Sequence, residues 1–207
     1  MILAAIAGLL AAAPQPPADV AGLYVSRQME MAAALDLLPG GRFRYQLEYG
    51  AVSESAEGDW TFDGTTVRLT SNPIPKAPAF ALVRDDPAPA GQLWVALDNP
   101  NFSWSPLDVE VIFEGTAEPV LLSTEGAGRV PVGGSRRPTA VKLLLPIYET
   151  GGDPVRLSAN RGHRLLFKLE PNDMGKAAFR GQELTLDGAS FVMHRYETRI
   201  TFRRAEP

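Results

Sequence analysis

The sequence predicts an all-β protein: an antiparallel barrel or meander with an inserted or tandem β-sandwich. Three observations predict it. Phe43, Tyr45, Leu47 and Tyr49 alternate with Arg42, Arg44, Gln46 and Glu48, the two-residue period of a strand with one dry face. Pro39-Gly40-Gly41 and Asp63-Gly64 place turn-forming residues where that alternation breaks. Between Gln92 and Leu169, short apolar runs recur about every ten residues, separated by Asn, Gly, Pro and Ser, which is sandwich spacing.

In chain order, Ile2 to Ala13 is an uncharged apolar run ending in small residues, and Pro14-Gln15-Pro16-Pro17 follows. It reads as a signal peptide over residues 1–13 with a Pro-rich spacer at 14–18, too short to span a bilayer. An N-terminal buried helix is the alternative. Ala21–Arg27 reads as the first strand. Met31–Leu38 reads as strand rather than helix, because Leu35 and Leu37 flank Asp36 just before the Pro-Gly-Gly turn. Arg42–Tyr49, Gly58–Phe62 and Thr65–Thr70 continue the meander, which ends in the prolines of residues 71–78.

Gln92–Leu97, Asp108–Phe113, Val120–Leu122, Ala140–Leu145, Val155–Leu157 and Arg164–Leu169 are the expected sandwich strands. Near the C-terminus the chain echoes itself. Thr61-Phe-Asp-Gly-Thr-Thr-Val-Arg-Leu69 aligns with Thr185-Leu-Asp-Gly-Ala-Ser-Phe-Val-Met193, both Asp-Gly hairpins, and Arg199–Arg203 alternates again as a closing strand. The echo assigns residues 19–84 plus 175–205 to one barrel-like domain and 90–172 to the sandwich, with tandem independent domains as the alternative.

Gly22-Leu-Tyr24 opening a meander, then Gly58-Asp-Trp60, resembles the Gly-x-Trp strands of lipocalin-like bacterial β-barrels. Leu93 to Leu169 resembles a transthyretin-like or carboxypeptidase-regulatory-like sandwich of the immunoglobulin type, with Glu118–Pro131 as its strand–Gly–strand hairpin. Tyr24 stands where the lipocalin pattern has tryptophan, and the family's later motifs are absent. The resemblance therefore implies shape and not a function.

Composition narrows the task. Of 207 residues 45% are hydrophobic, enough for packed cores, and the formal charge of −4 with no basic cluster argues against a nucleic-acid partner. With no cysteine, disulfides, thiolate nucleophiles and sulfur-ligated metals are excluded. Arginine outnumbers lysine 16 to 4, a bias of GC-rich bacterial genomes, so export points to a periplasmic or secreted protein with no integral membrane span in the mature chain.

No catalytic motif stands out. Ser103, Ser123 and Ser190 have no base in recognisable context, and no Gly-x-Ser-x-Gly elbow occurs. His163, after Arg161-Gly162, reads as a turn or strand-edge residue, and His194 shares a face with Val192 and Tyr196; neither has metal-ligand spacing. Gly133-Gly-Ser-Arg-Arg137 suits an anion-binding loop or a solvated turn. Asp85-Asp86 and Asp108/Glu110 lack the spaced acidic loop of a calcium site. No cofactor is implied.

The aromatic residues remain. Tyr45, Tyr49 and Trp60 lie at the apolar phase of their strands, where they either fill a barrel core or wall an apolar cavity. Trp104, in Asn99-Pro-Asn-Phe-Ser-Trp104, either marks a binding edge or packs back onto its sheet. These four are the candidate ligand-binding residues. The expected function is a non-catalytic binding or interaction module of the bacterial envelope, its partner a small apolar ligand or an envelope protein. The alternative is an envelope polymer or glycan hydrolase using an acidic pair.

Overall fold

A computed structural model describes residues 19–98, 106–134, 136–145, 147–158 and 160–206. All regular structure in them is β. No helix among them is long and apolar enough to cross a membrane. Two compact units divide the chain. One is formed by residues up to Ile74 together with those from Phe179 onward, the other by Pro75–Ala178.

The first unit is a closed eight-stranded antiparallel barrel. Its strands are β1 (Gly22–Gln28), β2 (Met31–Leu38), β3 (Arg42–Tyr49), β4 (Val52–Phe62), β5 (Thr66–Ser71), β14 (Arg180–Asp187), β15 (Ser190–Arg195) and β16 (Thr198–Arg204). Around the wall they run β1-β16-β15-β14-β5-β4-β3-β2. Alternation along each strand decides what points inward. Leu35 and Leu37, Phe43, Tyr45 and Leu47, Val67 and Leu69, Leu184, Met193, Ile200 and Phe202 are all buried. The Met31–Leu38 segment is a strand despite its alanines, because Met31, Ala33, Leu35 and Leu37 supply one buried face.

The two Asp-Gly hairpins lie side by side, since β5 pairs with β14 from Thr66↔Thr185 to Thr70↔Arg180. In the first hairpin Asp63 accepts the amides of Thr65 (3.1 Å) and Thr66 (2.9 Å) and pairs with Arg68 (2.6 Å). The chain leaves and re-enters the barrel at a clasp: the Ser71 amide donates to the Phe179 carbonyl (2.9 Å), and the Phe179 amide to Ser71 Oγ (2.9 Å). Gly58 permits this geometry, because a Cβ there would lie 2.0 Å from the Thr70 carbonyl oxygen. Closure between β1 and β16 is short in backbone terms, with partners Tyr24↔Arg204 and Val25↔Arg203. Beyond them the Gln28 amide takes over, donating to Arg199 O (3.0 Å) and accepting from Thr201 N (3.2 Å).

The second unit is a sandwich of two four-stranded sheets. Its strands are β6 (Ala79–Ala88), β7 (Leu93–Leu97), β8 (Asp108–Phe113), β9 (Val120–Ser123), β10 (Arg129–Val130), β11 (Pro138–Leu144), β12 (Val155–Arg156) and β13 (Gly162–Glu170). One sheet runs β10-β7-β13-β6, with β7 and β13 parallel, and the other β12-β11-β8-β9. Their inner faces share a core that includes Leu93, Val95, Leu165 and Phe167 from one sheet and Val109, Val111, Val141 and Leu143 from the other.

Two stretches are more regular than their sequence suggests. β4 begins at Val52, not Gly58, although Val52–Glu57 carries no apolar alternation. β6 crosses the charged run Arg84-Asp85-Asp86 and Pro87, and it forms because β13 pairs with its whole length, from Gly162↔Ala88 to Glu170↔Ala79.

Candidate functional site

The site begins with a residue at the wrong phase. Glu54 shares its strand face with Ala56, Gly58 and Trp60, so β4 carries a carboxylate into the barrel, where it is only 6% exposed. An isolated buried carboxylate is strongly disfavoured. Here it is saturated. Arg195, at the end of β15, grips it with both prongs, Nε to Oε1 and Nη2 to Oε2, each 2.6 Å. Tyr45 Oη donates to Oε1 (3.2 Å) and Tyr196 Oη to Oε2 (2.7 Å). Four donors meet roughly four acceptor positions, which leaves none for a ligand.

The electrostatics follow. Burial first, then the neighbouring Glu54 charge, hold the Tyr45 hydroxyl far above the usual tyrosine range. Burial first, then the hydrogen bond to Glu54 and its charge, push Tyr196 up to about 12. Burial alone would lower the Arg195 guanidinium, but its bonds to Glu54 outweigh that and hold it above its ordinary value. Arg195 also lies over the Phe179 ring (5.2 Å) and the Tyr196 ring (4.8 Å).

Tyr196 reaches Glu54 from a strained position. Tyr196 and Glu197 are the two central residues of the β15–β16 turn, with φ of 52° and 55°. Such a turn favours Asn-Gly, and each non-glycine residue there costs about 1 kcal/mol or more. The hydroxyl bond to a buried carboxylate holds the turn in that form.

Of the expected ligand-binding residues, Tyr45 and Trp60 are buried inside the barrel, 1% and 2% exposed. Tyr45 packs edge-on to Phe179 (5.0 Å between centroids) and tilts toward Phe202 (6.5 Å), while Phe43 stacks on Phe179 (6.0 Å). Trp60 Nε1 donates to the Leu38 carbonyl (3.1 Å), so the indole fills core and fixes the β2–β3 turn together. Tyr49 is half-buried beside Tyr196, 6.5 Å between rings. Trp104 lies outside the described residues, as do residues 1–18 with the expected signal peptide and spacer.

A second buried polar cluster sits in the sandwich. His163, expected at a turn or edge, is near the start of β13 but fully buried, because it shares the inward face with Leu165 and Phe167. Its Nδ1 lies 2.9 Å from both oxygens of Asp85, and its Nε2 lies 2.9 Å from the Ser158 carbonyl. Arg161 Nη2 holds the same Asp85 at 2.6 Å. The residue types are those of a catalytic triad, but the geometry is not: the imidazole meets the backbone of Ser158, not its hydroxyl.

The remaining candidates are engaged locally. Arg136 lies over the Phe113 ring (4.3 Å), Arg137 pairs loosely with Glu114 (3.9 Å), and Asp86 pairs with Arg84 (2.7 Å). Asp108 accepts from Ser123 Oγ (2.6 Å), and His194 is exposed on the outer barrel wall. Among the described residues no group of three or more His, Cys, Asp or Glu is placed to hold a metal. Shallow depressions mark the surface of both units. One, of about 260 Å³, lies over Ala32 and Ala34 between Val25, Arg27, Gln46 and Glu48. Another, of about 180 Å³, lies on the sandwich over Trp94, Ala96 and Leu166.

Sequence reasoning passed over Glu54, Arg195 and Tyr196. The available signal was Glu54 itself, an acid two residues from Ala56 and six from Trp60 on the inward phase. No family model, no curated protein and no solved structure matches the chain.

Proposed function

We propose that this protein is an exported, non-catalytic binding or interaction module of the bacterial envelope, a lipocalin-like barrel with a transthyretin-like sandwich between β5 and β14 in the sequence. One observation carries the reading: the buried ionisable groups bond one another or the backbone. Glu54 is filled by Arg195, Tyr45 and Tyr196, and His163 by Asp85 and Ser158. The side chains open to a partner lie on the outside. The eight-stranded antiparallel barrel supports the lipocalin-like likeness. Its interior supports an envelope partner over a small apolar ligand, because Phe43, Tyr45, Phe179 and Phe202 pack ring against ring where such a ligand would sit. The hydrolase alternative needs two carboxylates across a cleft, and the buried carboxylate Glu54 has an arginine opposite it instead.

Native mass spectrometry of protein purified from its own host tests the reading. A retained envelope component supports it, and the bare chain in every preparation, after gentle crosslinking as well, contradicts it. N-terminal sequencing tests export. A mature chain starting just beyond Ala13 is expected, and intact Met1 in the cytoplasmic fraction would end that part of the proposal.

A further inference from the structure

The outer face of the β10-β7-β13-β6 sheet carries an arrangement that the fold does not need. Strand register places Arg129, Trp94, Arg164 and Asp86 in one row across all four strands. The next row brings Ala96, Leu166 and Arg84. Inward neighbours Leu93, Val95, Val130 and Leu165 are buried in the sandwich core, so these residues face outward by alternation. Trp94, Ala96, Arg164, Leu166, Arg84 and Asp86 shape a depression of about 180 Å³ with Ala127 at its lip, and Arg129 lies beside it as the register partner of Trp94. Gly128 lets that lip close down: its φ is 92°, and a Cβ would lie 2.2 Å from the Val95 carbonyl oxygen.

The charges are unequal. Arg84 is paired with Asp86 at 2.7 Å, which leaves Arg129 and Arg164 on either side of Trp94, and among the described residues neither pairs with a carboxylate. The Arg164 guanidinium carbon lies over the indole, 4.7 Å from the ring centroid. The contact holds the guanidinium beside the indole, and with no carboxylate partner among the described residues its N–H donors can bond an arriving carboxylate. The floor between the charges is apolar and ring-sized, made of Trp94, Ala96 and Leu166. The Arg84–Asp86 pair supplies a donor and an acceptor at its edge.

Resting on the binding-module reading, we propose that this face binds a polysaccharide bearing carboxylated sugars. One sugar ring would lie on the apolar floor, its carboxylate on Arg164 or Arg129 and its hydroxyls on Arg84 and Asp86. Charge complementarity selects an anion, and the ring-sized floor selects a sugar over a bare ion. An acidic peptide would be expected to add to a sheet edge. The edges of this sheet discourage that: β10 is two residues long, and β6 carries a bulge opposite Leu166/Phe167 together with Arg84, Asp85 and Pro87.

The test is calorimetric titration of the full chain with trigalacturonate, its methyl ester and hexaglutamate. Trigalacturonate should bind and should weaken with added salt. The ester, which keeps the rings and loses the charge, should bind about tenfold more weakly, as should trigalacturonate to Arg164→Gln, the loss of one charge-assisted hydrogen bond. Arg129→Gln, an exposed change, and Trp94→Ala should also weaken binding. The Arg129→Gln result stands if Trp94→Ala does not fold.

Absence of trigalacturonate binding at millimolar concentration, equal binding of acid and ester, or unchanged binding to both arginine variants overturns the proposal. Hexaglutamate binding as tightly, with the same dependence on the arginines, would make the partner an acidic protein and overturns it also. If trigalacturonate fails while native mass spectrometry retains another envelope component, this inference falls and the binding-module reading stands. The bare chain in both experiments removes both.

Discussion

In the barrel every strand has two neighbours, whereas the sandwich ends at four edge strands, β6, β10, β9 and β12. Both units hold a cluster of ionisable groups around one buried side chain, Glu54 in the barrel and His163 in the sandwich. Glu54 on β4 and Arg195 at the end of β15, with β5 and β14 between them in the closed wall, meet across its interior next to the strained Tyr196 turn. His163, the second residue of β13, bonds Asp85 of β6 and the Ser158 carbonyl, and Asp85 also takes Arg161. In the barrel the charges satisfy each other. In the sandwich Asp85 takes Arg161 and His163, and the imidazole also bonds a backbone carbonyl, that of Ser158. The buried ionisable group thus marks a structural need, and a different one in each unit.

The largest expected effect belongs to the barrel. Trp60→Ala removes a buried indole and its bond to Leu38, and should cost about 3–5 kcal/mol with the cavity it leaves. Hydrogen exchange resolved by strand should show protection lost across barrel amides. Retained protection would mean that the indole walls a cavity instead of filling core.

Next comes the sandwich cluster. His163→Ala leaves the Ser158 carbonyl without its donor and opens a cavity, at about 2–4 kcal/mol. His163→Gln, able to keep one of the two bonds, should recover part of that loss in denaturant melts. Equal losses for both variants would show that volume, not hydrogen bonding, is what the histidine supplies.

A smaller effect follows pH. The Tyr45 and Tyr196 hydroxyls are both held above their ordinary value of 10.0, so folding favours the protonated form. Their contribution is complete below about pH 10, the unfolded value, and is lost as pH rises toward and beyond 12. The slope is at most about 1.4 kcal/mol per pH unit for each hydroxyl, and less for Tyr196, which at 36% exposed is partly screened by solvent. Melts between pH 9 and 12 should show barrel stability falling, with a shallower fall in Tyr196→Phe. A flat profile would contradict the network. Smallest of all, Arg44→Ala on the outer wall should shift melts by under ~0.5 kcal/mol.

Much of this fold was legible where one physical rule decided. Arg42–Tyr49 alternates cleanly because one face is dry, and the Asp-Gly hairpins declare their own turns. β4 upstream of Gly58 was illegible because its inward positions are Glu54 and Ala56, and β6 because its pairing with β13 overrides a charged, proline-bearing sequence. The interior phase of Tyr45 and Trp60 could be read locally. Their polar partner could not: Arg195 stands 141 residues from Glu54, and only barrel closure brings them together. His163 misled for a related reason, since its partner Asp85 is 78 residues away.

The buried charges of the barrel serve the fold. A double-mutant cycle on Glu54 and Arg195 tests this most directly, with Glu54→Leu, Arg195→Met and the pair compared by denaturant melts. Each single change strands a partner in the interior and should cost about 3–5 kcal/mol, while the double variant should recover much of that loss. If the single variants melt like the native protein, the pair is not holding the barrel together, and the claim fails.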